Sequence, residues 1–106
     1  MDPETSWKHD VYFADGSTRI ALAGELDLGA VEQLRRVLKM SIEAGSRVVA
    51  DVAAVGFIDS SAISLLIEAR NEATSRGRSF AVTNPSPQVR RVLDVMGVLG
   101  FLTEPA

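Results

Sequence analysis

One α/β domain is the fold class that this sequence predicts, with a mixed sheet of about four to five strands opened by a β-hairpin and about three to four helices packed on it. Three observations lead there. Asp15-Gly16 stands between two short β-prone runs, which is the signature of a tight hairpin turn. After that hairpin, β-branched runs alternate with runs whose apolar residues recur at helical spacing, so the later strands are expected to pair in parallel. The chain has 106 residues, enough for one packed core and too few for two, so residues 1–106 are expected to form one domain.

The elements follow in order. Residues 1–7 show no periodicity and are expected to form a loose lead-in, with Trp7 finding local packing because it is too apolar for water. Val11-Tyr12-Phe13 and Thr18-Arg19-Ile20-Ala21-Leu22 are the hairpin strands, and Asp15-Gly16 supplies the two positive-φ residues of a type I′ turn. Asp27 is placed to cap a helix running to Ala44. Its apolar residues Val31, Leu34, Val37, Leu38 and Ile42 make one stripe, and Leu26 and Val31 have the spacing of a hydrophobic staple. Gly45 is expected to end that helix with positive φ.

Arg47 to Val52 is β-branched, with Asp51 its only polar residue near the end, as in a central strand covered on both faces. Ala53 to Ile58 reads as a small-residue connection. Asp59 is a good N-cap for a helix from Ser60 to about Ser75, stapled by Ile58 and Ile63 and apolar on most sides of its first half. It is expected to be the most deeply buried helix. Arg76-Gly77-Arg78 supplies the stop and Ser79 to Thr83 the next strand. Ser86 reads as an N-cap and Pro87 as the first residue of a helix with the stripe Val89, Val92, Leu93 and Met96, ending at Gly97. Val98 to Leu102 is expected to add a short edge strand or to pack as a tail.

Composition narrows the function. The chain is 46% hydrophobic and 24% charged with a net charge of −3, an ordinary globular balance without the basic surface of a nucleic-acid binder. It has no cysteine, which excludes disulfides, thiolate metal sites and cysteine catalysis. The acidic, polar start and the lack of a long apolar run point to a cytoplasmic protein without direct membrane contact.

Catalytic chemistry finds little footing. His9 is the only histidine, and a solvated side chain is the better reading of it. The residues around Ser60 do not form a nucleophile elbow, so a hydrolase using Ser60 has little support. Neither a phosphate-binding P-loop nor a dinucleotide fingerprint occurs. Asp27, Asp51 and Asp59 are three carboxylates that together could hold Mg²⁺, but two of them already have capping roles, and no metal or cofactor is expected. What remains is Ser60 and Ser61 at the positive end of a helix. Their plainer role is to satisfy first-turn N–H groups. A phosphate there would bring about −1.5 to −2 charges, favoured by the helix end and opposed by Asp59, so Ser60 is a physically sensible switch site.

At this point four segments carry a resemblance. Phe57-Ile58-Asp59-Ser60-Ser61-Ala62-Ile63 resembles the phosphorylation motif of the anti-anti-sigma factors, the anti-sigma factor antagonists built on the STAS domain. Gly24-Glu25-Leu26-Asp27, Val48-Val49-Ala50-Asp51-Val52 and Ser86-Pro87-Gln88-Val89-Arg90-Arg91-Val92-Leu93 followed by Gly97 match the family's other segments in order and with matching gaps. The resemblance implies a non-enzymatic STAS-like domain phosphorylated at Ser60 by an anti-sigma factor with serine kinase activity. It implies that the unphosphorylated form binds that partner and frees a sigma factor, and that a serine phosphatase reverses the modification. Asp27, Asp59, Ser60 and Ser61 are the implied partner-binding residues. Where many members have two glycines this chain has Ala62 and Ser64, a departure that bears on access for a kinase loop and on partner choice. The alternative is a STAS scaffold subunit of a signalling or transporter assembly that uses the same surface without phosphorylation. Oligomeric state is left open.

Overall fold

The computed structural model describes residues 6–103. The elements are β1 (Trp7–Ala14), β2 (Ser17–Leu26), a 3-10 turn (Leu28–Ala30), α1 (Val31–Ala44), β3 (Arg47–Ile58), α2 (Ser60–Ser75), β4 (Ser79–Thr83), α3 (Pro87–Val95) and α4 (Leu99–Thr103). The four strands lie in the order β1-β2-β3-β4. β1 and β2 are antiparallel, and β2, β3 and β4 are parallel, as expected when helices carry the chain from one strand to the next.

The hairpin closes as its turn residues dictate. Asp15 and Gly16 have φ of 54° and 76°, and Ala14 pairs with Ser17 directly across the turn. Both strands run further than their apolar cores suggest, because polar Lys8, His9 and Asp10 still pair with Ala23, Leu22 and Ala21. Strand structure therefore starts at Trp7, whose indole is buried in the core, and this replaces the loose lead-in at that residue. The rest of that lead-in, residues 1–5, lies outside the described residues.

Two glycines answer to close packing. Gly24 has φ of 94°, and a Cβ there would run into the Ser6 carbonyl and lie 2.9 Å from the Trp7 Cα, so only glycine lets the end of β2 meet the start of β1. Gly45 corrects an expectation. It is extended, with φ of −132° and ψ of 154°, so α1 does not end on a left-handed residue. Glycine is needed there for space, because a Cβ would sit 2.7 Å from Thr18 Oγ1. The last carbonyls of α1, at Ile42 and Glu43, instead accept from the Arg78 guanidinium.

β3 spans Arg47–Ile58, which absorbs the expected connection Ala53–Ile58 into the strand. Its register against β2 shifts twice, between Ala21 and Ala23 and between Gly24 and Glu25. The shifts leave Val52, Val55 and Ile58 buried at three-residue intervals, a spacing that does not read as a strand. The expectation that β3 is covered on both faces also fails. Ile20, Leu22, Val48, Ala50, Val52, Phe80 and Val82 face the helices and are buried, whereas Arg19, Ala21, Val49, Asp51, Ala81 and Thr83 lie on a face that stays partly exposed. Asp51 is on that open face, where it accepts from the Ala53 N–H at 3.0 Å.

α2 is the most deeply inserted helix: Ala62, Ile63, Leu65, Leu66, Ala69 and Ala73 are buried, six residues where α1 buries four and α3 two. Truncating Leu66 to Ala would cost about 2–5 kcal/mol, because the side chain is fully enclosed. Arg35 of α1 reaches Glu68 of α2 at 3.0 Å across the solvent side of the helix pair. Ser86 and Pro87 start α3 as expected, but the Ser86 hydroxyl donates to the Val55 carbonyl at 2.7 Å and ties α3 to β3 rather than capping its own helix. The last apolar run is α4, not an edge strand or an irregular tail. Leu102 N–H bonds to the Val98 carbonyl at 3.0 Å, Leu102 enters the core, and Phe101 lies under the Arg70 guanidinium at 5.2 Å.

Candidate functional site

β2 and β3 end side by side at Leu26 and Ile58, and each hands the chain directly to a capping aspartate. Asp59 has extended backbone angles, φ −108° and ψ 178°, so its carboxylate turns back over the first turn of α2. One oxygen, Oδ1, accepts from the Ser61 N–H at 3.0 Å, the Ala62 N–H at 3.1 Å and the Ser61 hydroxyl at 2.6 Å. The Asp59 N–H donates to the Leu26 carbonyl at 3.1 Å, which locks the cap to the end of β2. Ile58 and Ile63 are buried on either side of the cap, so the staple forms.

Partial burial pushes the Asp59 carboxyl up, but the hydrogen bonds from the Ser61 hydroxyl and the N–H groups of Ala62, Ser61 and Leu28 outweigh it. The group therefore titrates below its ordinary value and stays charged. Asp27 caps the neighbouring 3-10 turn, with Oδ1 accepting from the Gly29 N–H at 3.0 Å. The expected cap is thus made, but on a 3-10 turn that precedes α1 rather than on α1 itself.

The two serines differ. Ser61 is half-buried and spends its hydroxyl on Asp59. Ser60 is exposed, and its hydroxyl has no protein partner among the described residues. It stands at the first helical position, where unpaired N–H groups and the aligned peptide dipoles favour negative charge. Of the two residues that replace the family glycines, Ala62 points into the core and adds nothing to the surface. Ser64 is exposed one turn beyond Ser60 and on the same side of the helix, so only Ser64 changes what a partner meets.

Asp27, Asp59, Ser60 and Ser61 are thus gathered at one end of the sheet, while Asp51 lies on the open sheet face, where its second oxygen is 3.4 Å from Asn84 Nδ2. Among the described residues no group of three or more His, Cys, Asp or Glu side chains is placed to hold a metal ion. His9 is exposed on β1 and stacks on Trp7, with ring centroids 5.3 Å apart.

Two further residues border the site. Leu28, first residue of the 3-10 turn that Asp27 caps, is 74% exposed, and Phe57, one residue before Ile58, is 50% exposed. The sequence does not single them out, because Leu28 continues the apolar spacing of α1 and Phe57 that of β3. Only the 3-10 turn, which rotates Leu28 out of the helical stripe, reveals it. From Gly24 to Leu34 and from Val52 to Ile67 the chain carries Glu25, Asp27, Glu32 and Asp59 and no Lys, Arg or His, whereas Glu68 is paired with Arg35 of α1.

This arrangement of fold and site has relatives. Residues 8–105 match the family model described as the STAS domain. The chain is 32% identical over 81 residues to an anti-sigma F factor antagonist of Lysinibacillus sphaericus, covering 74% of this chain and 69% of the relative. The structure of the anti-sigma factor antagonist SpoIIAA in its unphosphorylated form superposes with a TM-score of 0.76 at 29% identity, over 93% of this chain and 88% of that one. The phosphorylated form of the same Bacillus cell fate determinant gives 0.71 at 28% identity, over 93% and 91%. Among the described residues no helix is long and apolar enough to cross a membrane. A mixed four-stranded sheet with capped aspartates at the ends of β2 and β3, matched over nearly its whole length, places this chain in the STAS domain family, among the anti-sigma factor antagonists.

Proposed function

We propose that this chain is a cytoplasmic binding module whose unphosphorylated form docks on an anti-sigma factor with serine kinase activity and so frees a sigma factor. Phosphorylation of Ser60 by that partner ends the binding, and a serine phosphatase restores it. The observation that carries the proposal is the contrast at the start of α2: the Ser61 hydroxyl and the Asp59 carboxylate are committed to each other, while the Ser60 hydroxyl is exposed and uncommitted. A kinase can reach Ser60 without breaking the cap.

The consequence of modification is electrostatic. A phosphate on Ser60 adds about −1.5 to −2 charges to a patch that already holds Asp27 and Asp59. The helix end tolerates it, so α2 stays folded. A partner surface that covers Leu28, Phe57 and the bare hydroxyl must instead bury a dianion, facing the remaining phosphates of its own nucleotide, and docking is lost. Leu28 and Phe57 supply the apolar contact area of the unmodified interface, Asp27 its polar edge, and Ser61 and Asp59 keep the first turn in shape.

The test is binding and phosphorylation with the anti-sigma kinase of the same cell. Ser60→Ala is expected to bind like the parent chain and to escape inactivation by ATP, while Ser60→Glu binds at least about tenfold more weakly, or about 1.4 kcal/mol. Mass spectrometry that places the phosphate only on another residue, or undiminished binding by Ser60→Glu, refutes the switch.

A further inference from the structure

Among the described residues, the strand order leaves the outer edge of β1 without a paired strand. In a two-residue hairpin the pair that closes the turn, here Ala14 and Ser17, exchanges both backbone bonds, and bonded pairs alternate from there. The Glu25 N–H on the Ser6 carbonyl, at 2.9 Å, keeps the same phase at the far end. The N–H and C=O groups of His9, Val11 and Phe13 therefore point away from β2. β1 is eight residues long, pairs with β2 without a register shift and contains no proline, so of the devices that usually blunt an edge it has only the charges of Lys8 and Asp10, both outside the run Val11–Phe13.

Val11, Tyr12 and Phe13 on this strand are 46%, 44% and 74% exposed. Val11 and Phe13 lie on the helix side of the sheet, opposite Ile20 and Thr18, and Tyr12 lies on the open side, opposite Arg19. An object resting on either face would leave the other uncovered. Only a strand added alongside β1 touches all three and satisfies the outward backbone groups together.

We propose that the added strand is β1 of a second copy of this chain, paired antiparallel about a two-fold axis at Val11. The strand is complementary to itself in that register. Val11 faces Val11, His9 faces Phe13, Asp10 faces Tyr12 and Lys8 faces Ala14, so residues 8–14 all pair, the exposed apolar residues are covered, and no like charges stand directly opposite. An axis at Asp10 would set two carboxylates face to face. An axis at Tyr12 would leave Lys8 and His9 outside the ladder. An axis at His9 would leave Phe13 without a partner from the described strand. The dimer is one continuous sheet through both copies. It leaves Ser60 open, because α2 begins where β2 and β3 end, at the opposite end of the sheet from the Asp15-Gly16 turn.

The chain has no cysteine, which allows a test specific for the register. In Val11→Cys the two thiols face each other across a bonded pair whose Cα atoms are about 5.5 Å apart, within disulfide reach. Under mild oxidation it is expected to cross-link at least roughly tenfold faster than Met40→Cys, an equally single cysteine exposed on α1. In sedimentation the parent chain is expected to dimerise with rising concentration, and Val11→Pro to stay monomeric with its thermal midpoint kept, since the lost N–H points outward. Val11→Lys, which sets two ammonium groups opposite each other, provides the same reading should the proline variant not fold. A parent chain that remains monomeric to about 1 mM overturns the proposal, whether or not a foreign strand binds the same edge. So does a Val11→Cys variant that cross-links no faster than the control.

Discussion

Replacing Asp59 by alanine removes one carboxylate oxygen that serves three donors from Ser61 and Ala62. An N-cap deletion alone costs about 0.5–2 kcal/mol. Water can partly reach Ser61, so its two donors recover most of their loss. The Ala62 N–H belongs to a residue with no exposed surface, and an orphaned buried donor costs about 1–3 kcal/mol. Because part of that penalty is already counted in the cap value, the expected sum is about 2–3 kcal/mol. For a domain of this size that lowers the thermal midpoint by about 8–20 °C. The single tryptophan, Trp7, is buried in the same core, so its fluorescence in a urea titration reports the transition directly. Asp59→Asn keeps an acceptor in the same place and should lose less than about 1 kcal/mol. If Asp59→Ala unfolds within about 0.3 kcal/mol of the parent chain, the convergence of donors on Oδ1 does not hold the start of α2, and the assignment of Asp59 as its anchor is wrong.

Because the hydrogen bonds lower the Asp59 pKa in the folded chain, the stability it contributes is present above its ordinary value of 3.8 and is lost as pH falls through the lower folded-state value. The stability gap between the parent chain and Asp59→Asn, followed by urea titration, should therefore be constant from about pH 7 to pH 5 and shrink below about pH 4; a gap that widens on acidification contradicts the assignment. Gly24→Ala forces a side chain into a positive-φ position against the Ser6 and Trp7 backbone, and should cost more than about 2 kcal/mol and speed amide exchange first in β1. Leu28→Ser is expected to leave the thermal midpoint within about 2 °C, because the side chain is exposed, while weakening the anti-sigma partner at least about fivefold by titration calorimetry.

How much of this was legible in the sequence depends on whether a local pattern had one physical meaning. Asp15-Gly16 has one, since few residues accept two successive positive φ values, and the hairpin is where it was expected. Asp59 also has one, because a cap between Ile58 and Ile63 satisfies the helix start and the staple together. Gly45 carried two meanings, conformation and space, and only the position of Thr18 decides for space. The length of β3 was hidden by its register shifts, which spread Val52, Val55 and Ile58 at intervals that mimic a turn. Its coverage was misjudged because alanine is apolar enough to suggest burial yet small enough to leave on an open face. Val98 to Leu102 is ambiguous at five residues: with only Leu102 fully enclosed, its helical form follows from the contacts of Phe101 with Arg70 and of Leu102 with the core, none of them local.

The site divides along the same line. What the backbone demands of a residue can be read locally, so Asp27 and Asp59 were identifiable as caps. What a surface offers a partner cannot, because it depends on which side chains other elements leave uncovered. Leu28 and Leu34 look alike along the chain, yet one is enclosed by the sheet and the other stands in solvent beside Asp59, and the cause is a single 3-10 turn between Asp27 and Val31. The Asp59 N–H is bonded to the Leu26 carbonyl, two residues before Leu28, so the residue exposed at the surface and the residue that holds the helix are tied to the same strand end. A phosphate on Ser60 would act beside that strand end and the Asp59 carboxylate. It can therefore change how the Leu28 surface is met without first unfolding anything, which is what a reversible switch on a small domain requires.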